Sequence, residues 1–583
     1  MQTRGCRVKK GAMLPALAGC WKRYPAERSL FALFLCAAHF FCAFLVRGFG
    51  LKVSRRVTFW RIAIKLNDLH RMPKPPALKD LKHFGANIAC RIRNRPLDSF
   101  YEKEFTDAPD ALAFLAKVVS MSSTPSSTGL EQGLKPRHVT MLSIAGVIGA
   151  GLFVGSGHAI AAAGPAVLLA YAAAGTLVVL VMRMLGEMAV ASPDTGSFST
   201  YADRAIGHWA GFTIGWLYWW FWVLVIPLEA NAAATILHAW FPGVDIWAFA
   251  LVITMLLTVT NLFSVKNYGE FEFWFALIKV LAIIGFIGLG LAAIFGFLPT
   301  SQVSGVSHLF DSGGFLPNGM GAVLGAILTT MFSFMGTEIV TIAAAESKDP
   351  GKQISKATNS VIWRIGLFYL VSIFIVVALV PWNDPTLANL GSYQTVLERM
   401  GIPNAKMIVD IVVLVAVTSC LNSALYTSSR MLFSLGKRGD APAMSTRTNK
   451  SGTPYWAVML STGAAFLCTF ANYVAPAAVF EFLLASSGAI ALLVYLVIAF
   501  SQLRMRKQRM ARGEKIVFSM WLFPGLTWAV IIFIVAALTI MLFQEAHRVE
   551  ILATGLLSVM VVAAGLLVSR RRKLEKRGAV VLN

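Results

Sequence analysis

The sequence predicts an all-α integral membrane protein with twelve transmembrane helices, a five-plus-five inverted repeat, and breaks in helices 1 and 6. Three observations predict it. Of 583 residues, 57% are hydrophobic and 14% charged, with a mean hydropathy of +0.66, whereas a soluble chain carries roughly 25% charged residues. From residue 139 onward, long apolar runs alternate with short polar breaks. Clustered glycines mark a break in the first of those runs, and residues 331–338 a second candidate break in the sixth. The composition excludes a soluble enzyme, a disordered chain and a secreted disulfide scaffold.

Residues 1–120 come first and stand apart. They hold 22 Lys+Arg and 8 Asp+Glu, a net +14, while residues 121–583 hold 30 and 21, a net +9; together these make the +23 of the whole chain. Five of seven cysteines (Cys6, Cys20, Cys36, Cys42 and Cys90) lie here. No CxxC pair occurs, so neither a metal site nor a redox or disulfide framework is expected. The apolar stretch 29–46 is borderline for a span at about 18 residues. Basic residues before it (Arg4, Arg7, Lys9, Lys10, Lys22, Arg23, Arg28) resemble a signal-peptide n-region, but no small-residue cleavage site follows. The segment reads as an upstream stretch translated from a misplaced start codon; an extra helix and a targeting segment are the other readings. Residues 121–138 read as a cytoplasmic lead-in.

The twelve apolar runs are 139–163, 164–190, 209–238, 244–263, 272–297, 319–346, 360–381, 405–433, 454–474, 478–502, 521–543 and 549–569. Most are long enough to cross ~30 Å of hydrocarbon with some tilt. Runs of this length satisfy their backbone as helices, not as barrel strands of roughly ten residues. The basic residues set the orientation. Of the 30 after residue 120, 26 fall on the side of the lead-in, Arg399, Lys406 and Arg548 on the other, and Lys279 inside the membrane. Both termini, including the basic tail 570–583, are therefore expected in the cytoplasm. The positive excess is an orientation signal and implies no nucleic-acid partner.

Span 1 places Gly146, Gly149, Gly151, Gly155 and Gly157 within twelve residues. Small residues at such spacing serve close helix packing or a discontinuous helix. In the second case, freed N–H groups and the positive end of a half-helix suit a carboxylate. A second candidate break, Met331-Phe-Ser-Phe-Met-Gly-Thr-Glu338, lies in span 6, five spans later. Paired interruptions of this kind point to a transporter with inverted repeats. Spans 1–5 and 6–10 form the repeats, and 11 and 12 are additions.

At these residues the chain resembles an amino acid permease of the amino acid–polyamine–organocation superfamily. The carrying stretch runs from the end of span 2 into the next loop, Gly186-Glu-Met-Ala-Val-Ala-Ser-Pro-Asp-Thr-Gly-Ser-Phe-Ser-Thr-Tyr-Ala202. Further stretches resemble the bacterial γ-aminobutyrate permease branch: 215–231 (GWLYWWFWVLVIPLEAN), 264–274 (SVKNYGEFEFW) and 342–347 (IAAAES). The similarity covers about residues 132–570 and leaves out 1–120. It implies the twelve-helix inverted-repeat fold and proton-driven symport of a zwitterionic amino acid, γ-aminobutyrate, across the bacterial inner membrane, with no cofactor.

The resemblance also suggests roles. The N–H groups of Gly149, Ala150 and Gly151 are assigned to the substrate carboxylate, because glycine lets a ligand approach the backbone. Phe332 or Phe334 would supply an aromatic wall or gate near the substrate ammonium, a contact worth about 2 kcal/mol when desolvated; ordinary packing is the alternative for each. Lys279 lies inside span 5, where a charge costs ~3 kcal/mol or more. Its position resembles that of a lysine replacing a sodium ion between spans 1 and 8, with Thr418, Ser419 and Ser423 as candidate lining. Snorkelling to the interface is the alternative. Glu229 and Glu338 are read as proton relays or as carboxylates tying helices together. Glu187 and Glu346 are read as inner-gate or structural contacts, and the run Tyr218, Trp219, Trp220 and Trp222 as packing or substrate contact.

Two rival functions remain at this level: a permease for proline, an aromatic or another amino acid, and an amino acid sensor that does not transport. The sequence holds no P-loop, no GxSxG and no grouped histidines, so neither an enzyme nor an ATP-driven pump is expected.

Overall fold

The computed structural model describes residues 134–263, 265–474 and 476–581. The expectations for residues 1–120 and for most of the lead-in fall outside them. Span 1 is built from two short helices. α1 (Pro136–Ala145) starts on a proline, whose missing N–H costs nothing in the first turn. Residues 146–149 then leave the helical path, and a π-turn, Gly151–Gly155, leads into α2 (Ser156–Ala163). Gly164, at φ +67°, and Pro165 turn the chain into α3 (Val167–Ala191), which is span 2.

α4 (Ser197–Ala205) links to α5 (His208–Trp240), span 3; α6 (Ile246–Leu262) and α7 (Val265–Ile294) complete the first half. The second half opens with α8 (Gly319–Phe334), which breaks before α9 (Ile339–Ala344). Span 7 is α10 (Pro350–Arg364), a π-segment Ile365–Val371 and α11 (Ser372–Leu379). The short α12 (Thr386–Asn389) and α13 (Ser392–Arg399) precede α14 (Ala405–Lys437), span 8. α15 (Tyr455–Val474), α16 (Pro476–Ala511), α17 (Gly525–Phe543) and α18 (Glu545–Val581) are spans 9 to 12.

Nine helical stretches among the described residues are by themselves long and apolar enough to cross a membrane. The turn at Gly164 divides one of them, the 41-residue Gly151–Ala191, between spans 1 and 2. The apolar helices Ile246–Leu262 and Tyr455–Thr469 are shorter; the 17 residues of α6 still rise about 26 Å. Together these make twelve spans. Among the described residues the sole β feature is an isolated parallel bridge, Leu134 to Ser347, joining the entry of span 1 to the exit of span 6.

The two halves correspond. Each starts with a broken span, and the third span of each, α5 and α14, is a 33-residue helix. These two helices pack along one another at the centre of the bundle. The aromatic run of α5 (Trp216, Tyr218, Trp219, Trp220, Trp222) is buried there, so it fills the bundle and does not anchor at an interface. α6, α7, α17 and α18 expose large apolar side chains such as Leu256, Trp274, Ile532 and Val559, as lipid-facing spans do.

Candidate functional site

The two breaks lie against each other. Gly336, in the span 6 break, has φ +106°, and a Cβ there would overlap the carbonyl of Gly146 in the span 1 break. Glycine is needed at this crossing on both counts, conformation and space.

Unwinding at mid-membrane frees backbone groups that hydrocarbon cannot satisfy, at several kcal/mol each. In span 1, side chains from five other helical segments take up these groups. Tyr369 Oη donates to Val147 O (3.2 Å) and to Ser333 O (2.9 Å). Lys279 Nζ donates to Ile148 O at 2.8 Å. Ala150 N–H donates to both carboxylate oxygens of Glu229, at 3.2 and 3.1 Å. Ser333 Oγ donates to Gly151 O (2.8 Å), and Cys420 Sγ lies 3.7 Å from Gly146 O. The span 6 break is closed differently. Gly336 N–H donates to both oxygens of Glu338 (3.1 Å each), and Tyr218 Oη donates to Glu338 Oε1 at 2.8 Å.

The three small residues of span 1 are thus packed by defined neighbours. A Cβ on Gly149 would lie 2.5 Å from Glu229 Oε1 and 2.9 Å from Cys420 Sγ. One on Gly151 would lie 2.9 Å from Ser333 Cα and 3.0 Å from Phe332 Cδ1. Phe332 therefore borders the break, with Phe221 beyond it at 6.5 Å between ring centroids. Phe334 turns the other way, onto Tyr369 (4.6 Å) and Tyr171 (5.9 Å). The structure brings Lys279, Glu229, Phe332 and the Gly149–Gly151 backbone together, while Phe334 packs behind them.

Lys279 is fully buried and reaches the break, not the interface. Ser419 turns to another residue: its Oγ donates to Glu272 Oε2 at 2.6 Å. Asn422 Nδ2 donates to Glu272 Oε1, also at 2.6 Å. Ser423 Oγ accepts from Tyr268 Oη at 3.4 Å, and Thr418 is only half-buried. Glu272 is a buried acid that the sequence reading passed over, since it stands where apolar run 5 begins. Its signal was available: it lies about two helical turns before Lys279 on the same face. Tyr369 and Ser333 carry no sequence signal of their own.

Both ends of the site are closed. At one end α13 lies across span 1, with Ser392 Oγ 2.7 Å from Ser156 Oγ and Tyr393 packed between Phe153 (4.8 Å) and Phe286 (4.1 Å). At the other end Arg430 pairs with Glu346 (3.4 Å) with both side chains 2% exposed or less. The Arg430 guanidinium also covers the Tyr426 ring at 4.0 Å. Glu187 binds Gln502, Arg506 and the Met520 N–H, tying span 2 to the link between spans 10 and 11. At the end of α4 His208 bridges Asp203 (2.8 Å) and Asp440 (2.9 Å), and its hydrogen bond holds the Asp203 carboxyl below the usual carboxylate range.

An all-helical membrane chain with two facing half-broken spans and buried ionisable side chains at the break has the architecture of a secondary transporter. A family model described as "Amino acid permease" matches residues 138–577. The chain is 72% identical over 461 residues to "Probable GABA permease" of Pseudomonas aeruginosa, covering 79% of this chain and 97% of that protein. It is 67% identical over 456 residues to "Gamma-aminobutyric acid permease" of Escherichia coli K12 (78% and 97%), and 52% identical over 455 residues to the protein of that name from Bacillus subtilis (78% and 97%). The chain belongs to the amino acid permease family: it is a permease and not an enzyme.

Proposed function

We propose that the chain imports γ-aminobutyrate together with protons across the bacterial inner membrane by alternating access, with both termini in the cytoplasm. One observation carries the coupling. At the span 1 break an ammonium holds Ile148 O and a carboxylate holds Ala150 N–H, two residues apart. The substrate class is supported by the names of three relatives, 52–72% identical to this chain along 97% of their own length. The inward orientation is supported by the distribution of basic residues.

In this reading the substrate carboxylate takes N–H groups of Gly149–Gly151, at the positive end of the half-helix that continues into α2. Glu229 already holds one of them, so loading requires that carboxylate to let go, and a proton on Glu229 weakens it as an acceptor. The substrate ammonium meets carbonyls at the end of α8 beside Phe332. Lys279 acts on the neighbouring residue: losing its proton removes a charge-assisted donor from Ile148 O and frees the break to move. Substrate and proton thus act on adjacent groups of one bistable segment, which is the condition for coupling. Glu338, capping Gly336, is the second proton site of this reading.

The test is uptake of labelled γ-aminobutyrate into proteoliposomes, with and without a protonophore and with proline or phenylalanine as competitor. Uptake driven by an imposed proton gradient and abolished by the protonophore is expected. Gradient-independent uptake refutes the coupling. Preference for proline or phenylalanine refutes the substrate, and binding without a substrate-induced proton current identifies a sensor.

A further inference from the structure

A buried polar seam runs from Lys279 towards the cytoplasm. Tyr268, Glu272 and Lys279 stand four and seven residues apart on α7, a spacing that puts them on one helix face. The facing side of α14 presents Ser419, Asn422, Ser423 and Tyr426, again at helical spacing. Side chains join the stretch from Glu272 to Tyr426. Ser419 and Asn422 hold the two oxygens of Glu272 (2.6 Å each), Tyr268 donates to Ser423, and Tyr268 stacks on Tyr426 at 4.3 Å and 4°. α6 contributes Asn261, whose Nδ2 donates to Asn422 Oδ1 at 2.6 Å. The seam ends at Arg430 and Glu346, the inner gate.

Glu272 has no exposed surface. As a tie between helices it is a poor choice: glutamine could accept from Asn422 with its oxygen and donate its Nε2–H to the Ser419 hydroxyl, bridging the same two partners without burying a charge, which costs several kcal/mol. What the carboxylate adds is the capacity to take a proton. α7 enters from the cytoplasmic side, so Glu272 lies about 10 Å below Lys279 along the helix axis, on the way to the gate. The lysine side chain leans in that same direction, towards the helix N-terminus.

We propose that Glu272 is the proton acceptor through which Lys279 discharges to the cytoplasm. The inference rests on the proton-coupled reading above. When the inner gate opens, the ammonium leaves Ile148 O and meets the Glu272 carboxylate. An Nζ–H bond breaks and an Oε–H bond forms, leaving a neutral amine and a carboxylic acid. Glu272 then gives the proton to water entering past Tyr268. The titratable and charged groups around this path are Tyr268 and Lys279 on α7, Cys420, Tyr426 and Arg430 on α14, Glu229 on α5, His138 on α1 and Glu346 beyond α9.

The test separates movement of substrate from movement of the proton. Proteoliposomes containing wild type, Glu272→Gln or Glu272→Asp are assayed for γ-aminobutyrate exchange at equal pH and for uptake driven by a proton gradient. Glu272→Gln can still bridge Asn422 and Ser419, with the serine hydroxyl turned to accept from Nε2, so exchange within twofold of wild type and a tenfold or greater loss of gradient-driven uptake are expected. Glu272→Asp retains a carboxylate and should recover part of that uptake. Gradient-driven uptake by Glu272→Gln at the wild-type rate overturns the inference. Parallel loss of exchange and driven uptake in both variants also overturns it, since that marks a structural tie. Wild type lacking any gradient-driven uptake refutes the underlying coupling instead, so the two failures are distinguishable.

Discussion

Substituting Gly336 by alanine probes the crossing of the two breaks directly. Two costs follow from the structure. The residue sits at φ +106°, where a side chain costs about 1–2 kcal/mol. Its Cβ would also overlap Gly146 O, a backbone atom of the opposite break, and overpacking of this kind costs about 1–3 kcal/mol. Together they amount to about 2–5 kcal/mol. Gly155→Ala is the internal control. Its φ is −60°, and a Cβ there meets nothing closer than Ala150 O at 3.8 Å. Alanine should be tolerated at that position, with a gain of up to about 1 kcal/mol from helix propensity. Thermal unfolding of the detergent-solubilised variants, followed by size-exclusion chromatography, reads the stability, and labelled uptake in proteoliposomes reads the function. Gly336→Ala should melt well below wild type and lose transport, while Gly155→Ala melts at or above wild type and transports. Indistinguishable melting of the two variants would show that the breaks do not cross as described.

Lys279→Ala should reach the membrane and retain exchange, yet fail to accumulate substrate against a gradient; normal accumulation would remove Lys279 from the mechanism. Phe332→Ala and Phe334→Ala each truncate a buried ring and should cost about 3–5 kcal/mol of stability, but KM should rise in Phe332→Ala, which borders the break, and not in Phe334→Ala, wedged between Tyr369 and Tyr171; a raised KM in the second variant alone would reverse this assignment. Arg430→Ala leaves Glu346 buried without its guanidinium, a loss of about 3–5 kcal/mol, and the Arg430→Met/Glu346→Leu pair should recover much of it in melting experiments. The Asp203 carboxyl is held below its ordinary pKa by His208, so the stability it contributes is present above the unfolded value and lost as pH falls through the folded one. Below about pH 4 the wild type should lose melting temperature faster than Asp203→Asn; equal slopes would count against the linkage.

The fold was largely legible because a bilayer leaves a sequence few options. Length and apolarity dictate helices, and the glycines between Gly146 and Gly157 reveal where the first helix fails. Even so, the five glycines do different work. Gly149 and Gly151 make room for Glu229, Cys420, Ser333 and Phe332, while a Cβ on Gly155 would make only ordinary contact with Ala150 O and Thr329. Glycine spacing alone does not separate these roles, since it records permission for close approach and not what approaches.

The site was legible by residue type and illegible by partner. Lys279 announces itself as a charge in an apolar run, but its acceptor, Ile148 O, is a backbone group 131 residues away in sequence. Glu229 and Glu338 look alike in sequence. In space one caps the opposite chain segment at Ala150 and the other caps its own break at Gly336. Glu272 escaped for a physical reason. Hydropathy begins a span at its first apolar stretch, so an acid at that boundary is assigned to the headgroup region. A boundary drawn this way assumes that the helix faces lipid at that depth. α7 instead faces α14 there, and the polar side chains of α14 supply the solvation that lipid does not. The depth at which an acid becomes costly, and hence informative, is set by the neighbouring helix and not by the helix that carries it.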